Sequence, residues 1–177
     1  IADLHRDGQL AAAFVRSTIA QGYLREIDHR AARAMPGVKA IFTAKDIVGD
    51  VPRIPFRRPN PSIEPYGQPA IACDKVRYVG EPVAIVLAET EAQAEDAAEA
   101  VDVVIDDLPP MLKVLEAERS DTQLFNTGTN VACVFTASKG EVGPAFAAAD
   151  LVVAEMLGTQ RQIVMPMETR GLLAEWN

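Results

Sequence analysis

The sequence predicts a mixed α/β (α+β) fold, and three adjacent features carry the prediction. Residues 83–88 (VAIVLA) are six apolar residues in a row, the pattern of a strand buried on both faces. Thr90 and Gln93 then have the spacing of a capping box, followed by Ala94, Ala97, Ala98 and Val101 at helical spacing. Residues 101–105 (VDVVI) return as a strand, ended by Pro109 and Pro110.

The preceding elements follow from local chemistry. Residues 10–15 (LAAAFV) form a short apolar run, read as a buried strand. Tyr23, Arg25 and Ile27 alternate with Leu24 and Glu26, a weaker strand pattern. Asp28 can accept a bond from the free first-turn amides of a helix running through Met35, which Pro36–Gly37 stops. Residues 38–42 follow as a strand. Between positions 49 and 69 six prolines and two glycines predict an extended loop, because proline has no amide for a ladder. A loop of this length is either functional and partner-contacting or disordered. Pro82 stands at the first position of its strand, where a missing donor is tolerated. Glu91, Glu95, Asp96 and Glu99 give the following helix a solvated acidic face. Residues 111–130 read as a connector. A strand over 131–137, a helix over 141–149 with Pro144 in its first turn, a strand over 151–157 and a last strand over 172–177 complete the expectation.

Size and charge bound the function. The chain has 177 residues, room for one or two domains of about 100–200 residues each. Seventeen Lys and Arg against 25 Asp and Glu leave a net charge of −8, which repels phosphate backbones and anionic membrane surfaces. No apolar run reaches the roughly 18–20 residues of a membrane-spanning helix. Neither nucleic acid nor membrane insertion is expected, and cytoplasmic residence is the default. Cys73 and Cys133 are far apart, and His5 and His29 have no second ligand at metal spacing, so a self-contained metal or cluster site is not expected. Both ends read as cut, the expectation for an excised or processed piece.

Residues 76–84 (VRYVGEPVA), preceded by Asp74–Lys75, resemble the α/β-hammerhead domain that opens the molybdenum subunit of the xanthine dehydrogenase, aldehyde oxidase and aerobic carbon monoxide dehydrogenase family. AAFVRS at 12–17, Glu26–Ile27–Asp28, MPGVKAIFTAKDI at 35–47, AFAAADLVV at 145–153 and PMETRGLLAEW at 166–176 fall in the family's order and spacing. The resemblance implies a hammerhead over residues 1–108, a connector over 109–130, and the opening strand–helix–strand of a first molybdopterin-binding domain over 131–177. It implies a much longer subunit that holds the molybdenum cofactor, with [2Fe–2S] clusters and FAD on partner chains or domains. The reaction would be hydroxylation of a carbon centre, or carbon monoxide oxidation, with water as oxygen source. The family's glycine-rich cofactor stretch is absent from these 177 residues, and its catalytic glutamate is expected further on. The chain is therefore expected to be structural, and inactive by itself. Its implied partners are the rest of the large subunit and the iron–sulfur and FAD components, with room for a homo-oligomer. A free-standing interaction or assembly module with the same fold is the alternative. An unrelated α/β enzyme would need a deep polar pocket within these residues.

The resemblance points to one pair of site residues. In the family a glutamine on the strand before a Glu–Thr step faces the molybdenum oxygen ligands or the substrate. Here that step is Glu168–Thr169, and Gln160 and Gln162 both precede it. Two apart on a strand, they would face the same way, and a carboxamide can donate to an oxo ligand without adding charge. The other reading makes both ordinary strand-surface residues. Glu168 and Arg170 read as an ion pair or interface contact on one strand face, Glu81 as an acceptor of backbone amides in the turn before its strand, and Trp176 as a core residue. PMETRG leans toward the carbon-monoxide-dehydrogenase-like branch, while the residues that sort substrates are expected downstream.

Overall fold

The computed structural model describes residues 4–160, 162, 163, 165–168 and 170–175. They form two compact units, one spanning Gly8–Val134 and one combining the residues on either side of it.

The Gly8–Val134 unit holds two antiparallel three-stranded sheets. The first has β5 (Pro82–Ala88) at its centre, between β1 (Ala11–Arg16) and β3 (Val38–Thr43). The second has β2 (Gly22–Asp28) at its centre, between the two-residue β4 (Lys75–Val76) and β6 (Asp102–Asp107). The strand–helix–strand run predicted from residues 83–105 is present. Its helix, α2 (Glu91–Glu99), links strands of different sheets. Thr90 caps it by accepting the Gln93 amide at 3.3 Å, and Glu91, Glu95, Asp96 and Glu99 face solvent.

The period-two pattern decides what the first sheet buries. Val15 pairs with Ala84, Ala13 with Val86, and Val86 with Ile41; this face meets α2 through the small buried residues Ala94 and Ala97. The opposite face carries Phe14, Ile85 and Phe42 in one row. Its phenylalanines are exposed and Ile85 is half-buried, so β5 is fully buried on one face only, where the sequence suggested both. The helix after Asp28 is shorter than expected, α1 (Arg30–Arg33), with Asp28 Oδ1 accepting the Arg30 amide at 3.0 Å. Gly37 leaves it at φ +81°, backbone that favours a residue without Cβ. The proline-rich loop is anchored: Arg53 bridges to Pro69, and its guanidinium donates to the Pro65 and Gly67 carbonyls at 3.2 and 3.0 Å. The connector contains one short helix, α3 (Val114–Ala117).

In the other unit the expected helix forms as α4 (Val142–Ala147), but the strand expected over 151–157 does not, nor does the one expected over 131–137, whose first four residues belong to the Gly8–Val134 unit. Nor do residues 172–175 form a strand; Trp176 and Asn177, like Thr169, lie outside the described residues. An apolar run becomes a strand only where a second strand completes its ladder. These segments meet none among the described residues, and Phe135, Leu151 and Leu157 stand exposed.

Candidate functional site

The most constrained polar chemistry surrounds the turn from β4 into β5. Glu81 is 0% exposed. Its Oε2 accepts the Arg77 amide, the role expected of it, while Oε1 has no hydrogen-bond partner and lies 3.9 Å from the Arg77 guanidinium. Burial pushes this carboxyl above the usual carboxylate range, against the pull of the Arg77 amide and guanidinium. Gln21, just before the Gly22–Val76 pair, is also buried, and neither polar atom of its carboxamide has a partner.

Lys75 and Arg77 flank this turn and reach into the connector. The Lys75 ammonium is buried, donates to the Gln123 carbonyl and sits 5.7 Å from the centre of the Tyr23 ring. Burial, then repulsion from Arg77, lowers its pKa, with Asp74 opposing. Arg77 donates through Nε to the Leu124 carbonyl at 2.9 Å and through a terminal nitrogen to the Lys75 carbonyl at 2.8 Å. Its guanidinium carbon lies 4.8 Å from the centre of the Phe125 ring. Beside it opens a cleft of about 780 Å³ whose lining includes Arg53, Cys73, Asp74, Arg77 and Phe125. Partial burial and Asp74 push the Cys73 thiol up, which favours the neutral thiol over a nucleophilic thiolate. Sequence reasoning singled out the string holding Lys75 and Arg77 but assigned these two side chains no task. Two cations on a short segment next to a buried strand were the available signal.

Gln160 and Gln162 are exposed and lie outside any strand, so no strand sets the way they face. Glu168 and Arg170 are likewise exposed and outside any strand. A depression of about 540 Å³ in the same unit is lined by residues such as Val142, Phe146, Leu151 and Val153, and neither glutamine lines it. Among the described residues no three His, Cys, Asp or Glu side chains are placed to hold a metal ion. No helix among them is long and apolar enough to cross a membrane.

Comparison with known proteins gives this architecture its context. Residues 1–109 match the model of the aldehyde oxidase and xanthine dehydrogenase a/b hammerhead domain, and residues 124–177 that of a molybdopterin cofactor-binding domain. The chain is 38% identical to the nicotine 6-hydroxylase large subunit of Paenarthrobacter nicotinovorans, over 98% of this chain and 21% of that protein. It is 29% identical to the carbon monoxide dehydrogenase large chain of Hydrogenophaga pseudoflava, over 99% of this chain and 23% of that one. The solved aldehyde oxidoreductase of Desulfovibrio gigas superposes with a TM-score of 0.72 at 30% identity, over 83% of this chain and 16% of that one. The chain thus spans about a fifth of the length of the relatives it matches. With the hammerhead model covering residues 1–109 and a related solved structure reproducing the fold, the chain belongs to the aldehyde oxidase and xanthine dehydrogenase family.

Proposed function

We propose that this chain is the front part of the large subunit of a molybdenum hydroxylase, with a structural and assembly role, and that turnover requires the rest of that subunit. The succession of a hammerhead match and a molybdopterin-binding match along a chain one-fifth the length of its relatives carries this reading. Residues 1–108 form the hammerhead, 109–130 the connector and 131–177 the start of the first molybdopterin-binding domain. The whole protein would hydroxylate a carbon centre with oxygen from water and pass the electrons to [2Fe–2S] clusters and FAD on partner chains or domains. When bound, the molybdenum cofactor would supply the redox chemistry. Either Gln160 or Gln162 would present its carboxamide to the oxygen ligands or the substrate. Cytoplasmic residence goes with this reading.

Identity to the nicotine hydroxylase exceeds that to the carbon monoxide dehydrogenase, 38% against 29%, which favours an N-heterocycle over the carbon monoxide suggested by PMETRG. The test is to express the full-length subunit with its partner subunits. Molybdenum content is measured, then dye reduction driven by pyridine derivatives, aldehydes and carbon monoxide, with ¹⁸O-labelled water tracing the oxygen. Molybdenum in the complex and label in a hydroxylated N-heterocycle are expected. A folded, molybdenum-free complex without turnover would replace this reading with the interaction-module one.

A further inference from the structure

The boundaries of the matches and of the folded unit disagree in an informative way. The hammerhead match ends at residue 109 and the cofactor-binding match begins at 124, yet the compact hammerhead unit continues to Val134. Residues 124–134 thus belong by sequence to the cofactor-binding segment and by packing to the hammerhead.

Specific contacts seat them there. From below, Lys75 and Arg77 donate to the consecutive carbonyls of Gln123 and Leu124. The Phe125 ring contacts both the Arg77 guanidinium and the Tyr66 ring, whose centre is 5.9 Å away in an edge-on arrangement. From the proline-rich loop, the Tyr66 hydroxyl lies 3.0 Å from the Val131 carbonyl and 3.2 Å from that of Thr129. It has one hydrogen to share between them. The segment is also tied internally. Asn130 Oδ1 accepts the Leu124 amide at 3.0 Å, its Nδ2 donates to the Ala117 and Thr122 carbonyls at 2.9 Å each, and Gln123 Oε1 accepts the Gly128 amide at 2.9 Å.

The dependence is mutual. A buried ammonium is costly unless its hydrogens are met, and the segment meets one with a main-chain carbonyl. In return it gains a charge-assisted bond at each of two successive residues. β4 has only two residues and one strand neighbour, β2, so it contributes little ladder of its own. Because the acceptors are carbonyls, these bonds follow the backbone path of the segment, while the Phe125 ring adds a side-chain contact to Arg77 and to Tyr66.

We propose that Lys75, Arg77 and Tyr66 form a clamp that locks residues 123–131 onto the hammerhead, so that the first residues of the cofactor-binding segment fold as part of the hammerhead. The assignment of 124–134 to a cofactor-binding segment rests on the molybdopterin-binding match that begins at residue 124, and its bearing on turnover rests on the function proposed above; the clamp itself rests on neither.

Hydrogen exchange on the full-length subunit in its complex tests this. The Leu124, Thr127, Gly128 and Val131 amides are all hydrogen bonded within the segment and act as reporters. Tyr66→Phe removes only the hydroxyl, and Arg77→Lys keeps the charge while losing the fork. Each is expected to speed exchange at these reporters at least about fivefold, with β5 (Pro82–Ala88) as protected as before. Unchanged reporter exchange in both variants overturns the clamp, as does reporter exchange in the wild type as fast as a free loop. If Arg77→Lys loosens β5 as well, Tyr66→Phe decides alone. Molybdenum content is measured on the same samples. Its absence would count against the proposed function and leave the exchange result standing, so the two failures are distinguishable.

Discussion

Replacing Glu81 by glutamine and by alanine separates the two consequences of burying a carboxyl. The residue is 0% exposed, offers one oxygen to the Arg77 amide and leaves the other without a partner. Burial is the largest influence on its proton affinity and raises the pKa above the ordinary carboxylate value. A folded-state pKa above the unfolded one means the folded state holds the proton more tightly. The stabilisation is complete below the unfolded pKa and disappears as pH rises through the folded pKa, where the site must accept a buried anion. Glutamine stays neutral throughout and keeps an oxygen for the Arg77 amide. Stability of the wild type should therefore fall across that window, while the profile of Glu81→Gln stays flatter.

Alanine removes the acceptor. Leaving a buried amide unmet costs roughly 1–3 kcal/mol, and losing one buried methylene group along with the carboxyl adds roughly 0.8 kcal/mol. Glu81→Ala should thus lose about 3 kcal/mol, a shift of more than about a hundredfold in the folded-to-unfolded ratio. Urea unfolding followed by far-ultraviolet circular dichroism, repeated from pH 4 to pH 8, reads both effects. Parallel profiles for the wild type and Glu81→Gln would refute the titration argument. A cost below about 1 kcal/mol for Glu81→Ala would show that the Arg77 amide finds another acceptor, since it is less than one net hydrogen bond plus the lost burial.

Three further outcomes follow from individual side chains. Gly22→Ala would place a Cβ 2.6 Å from the Asp106 backbone oxygen and 2.4 Å from Ile105 Cγ2, so β2 and β6 must part. A loss of roughly 1–3 kcal/mol is expected, and an unchanged melting temperature would contradict it. Thr90→Ala removes the oxygen that accepts the Gln93 amide and should cost about 1 kcal/mol, read as faster exchange in the first turn of α2 with β5 unaffected. On the proposed function, Ala at whichever of Gln160 and Gln162 serves the site should slow turnover of the full-length protein while molybdenum stays bound. Wild-type rates in both single variants would remove the pair from the site.

What was legible in the sequence was what neighbouring residues decide among themselves. The apolar run of β5, the Thr90–Gln93 cap, the acidic face of α2 and the stop at Pro36–Gly37 each depend on contacts a few residues apart, and each appears in the structure. The Glu81–Arg77 contact, four residues apart, is of the same kind. The family could also be read there, because the matching strings keep their order and spacing along the whole chain.

Tertiary structure alone decided the rest. The strands predicted over 131–137 and 151–157 carry the right apolar residues, but a ladder needs a second chain segment, and none is aligned with them among the described residues. The same absence leaves Gln160 and Gln162 exposed and without a common strand face. Conversely, Lys75 and Arg77 acquire a task only because the fold brings carbonyls from 48 and 47 residues away onto their donors. Sequence patterns register a residue's preference for a buried or extended setting. Which partner satisfies a buried ammonium, or completes a strand's hydrogen bonds, depends on chain closure over tens of residues, and no local periodicity encodes that.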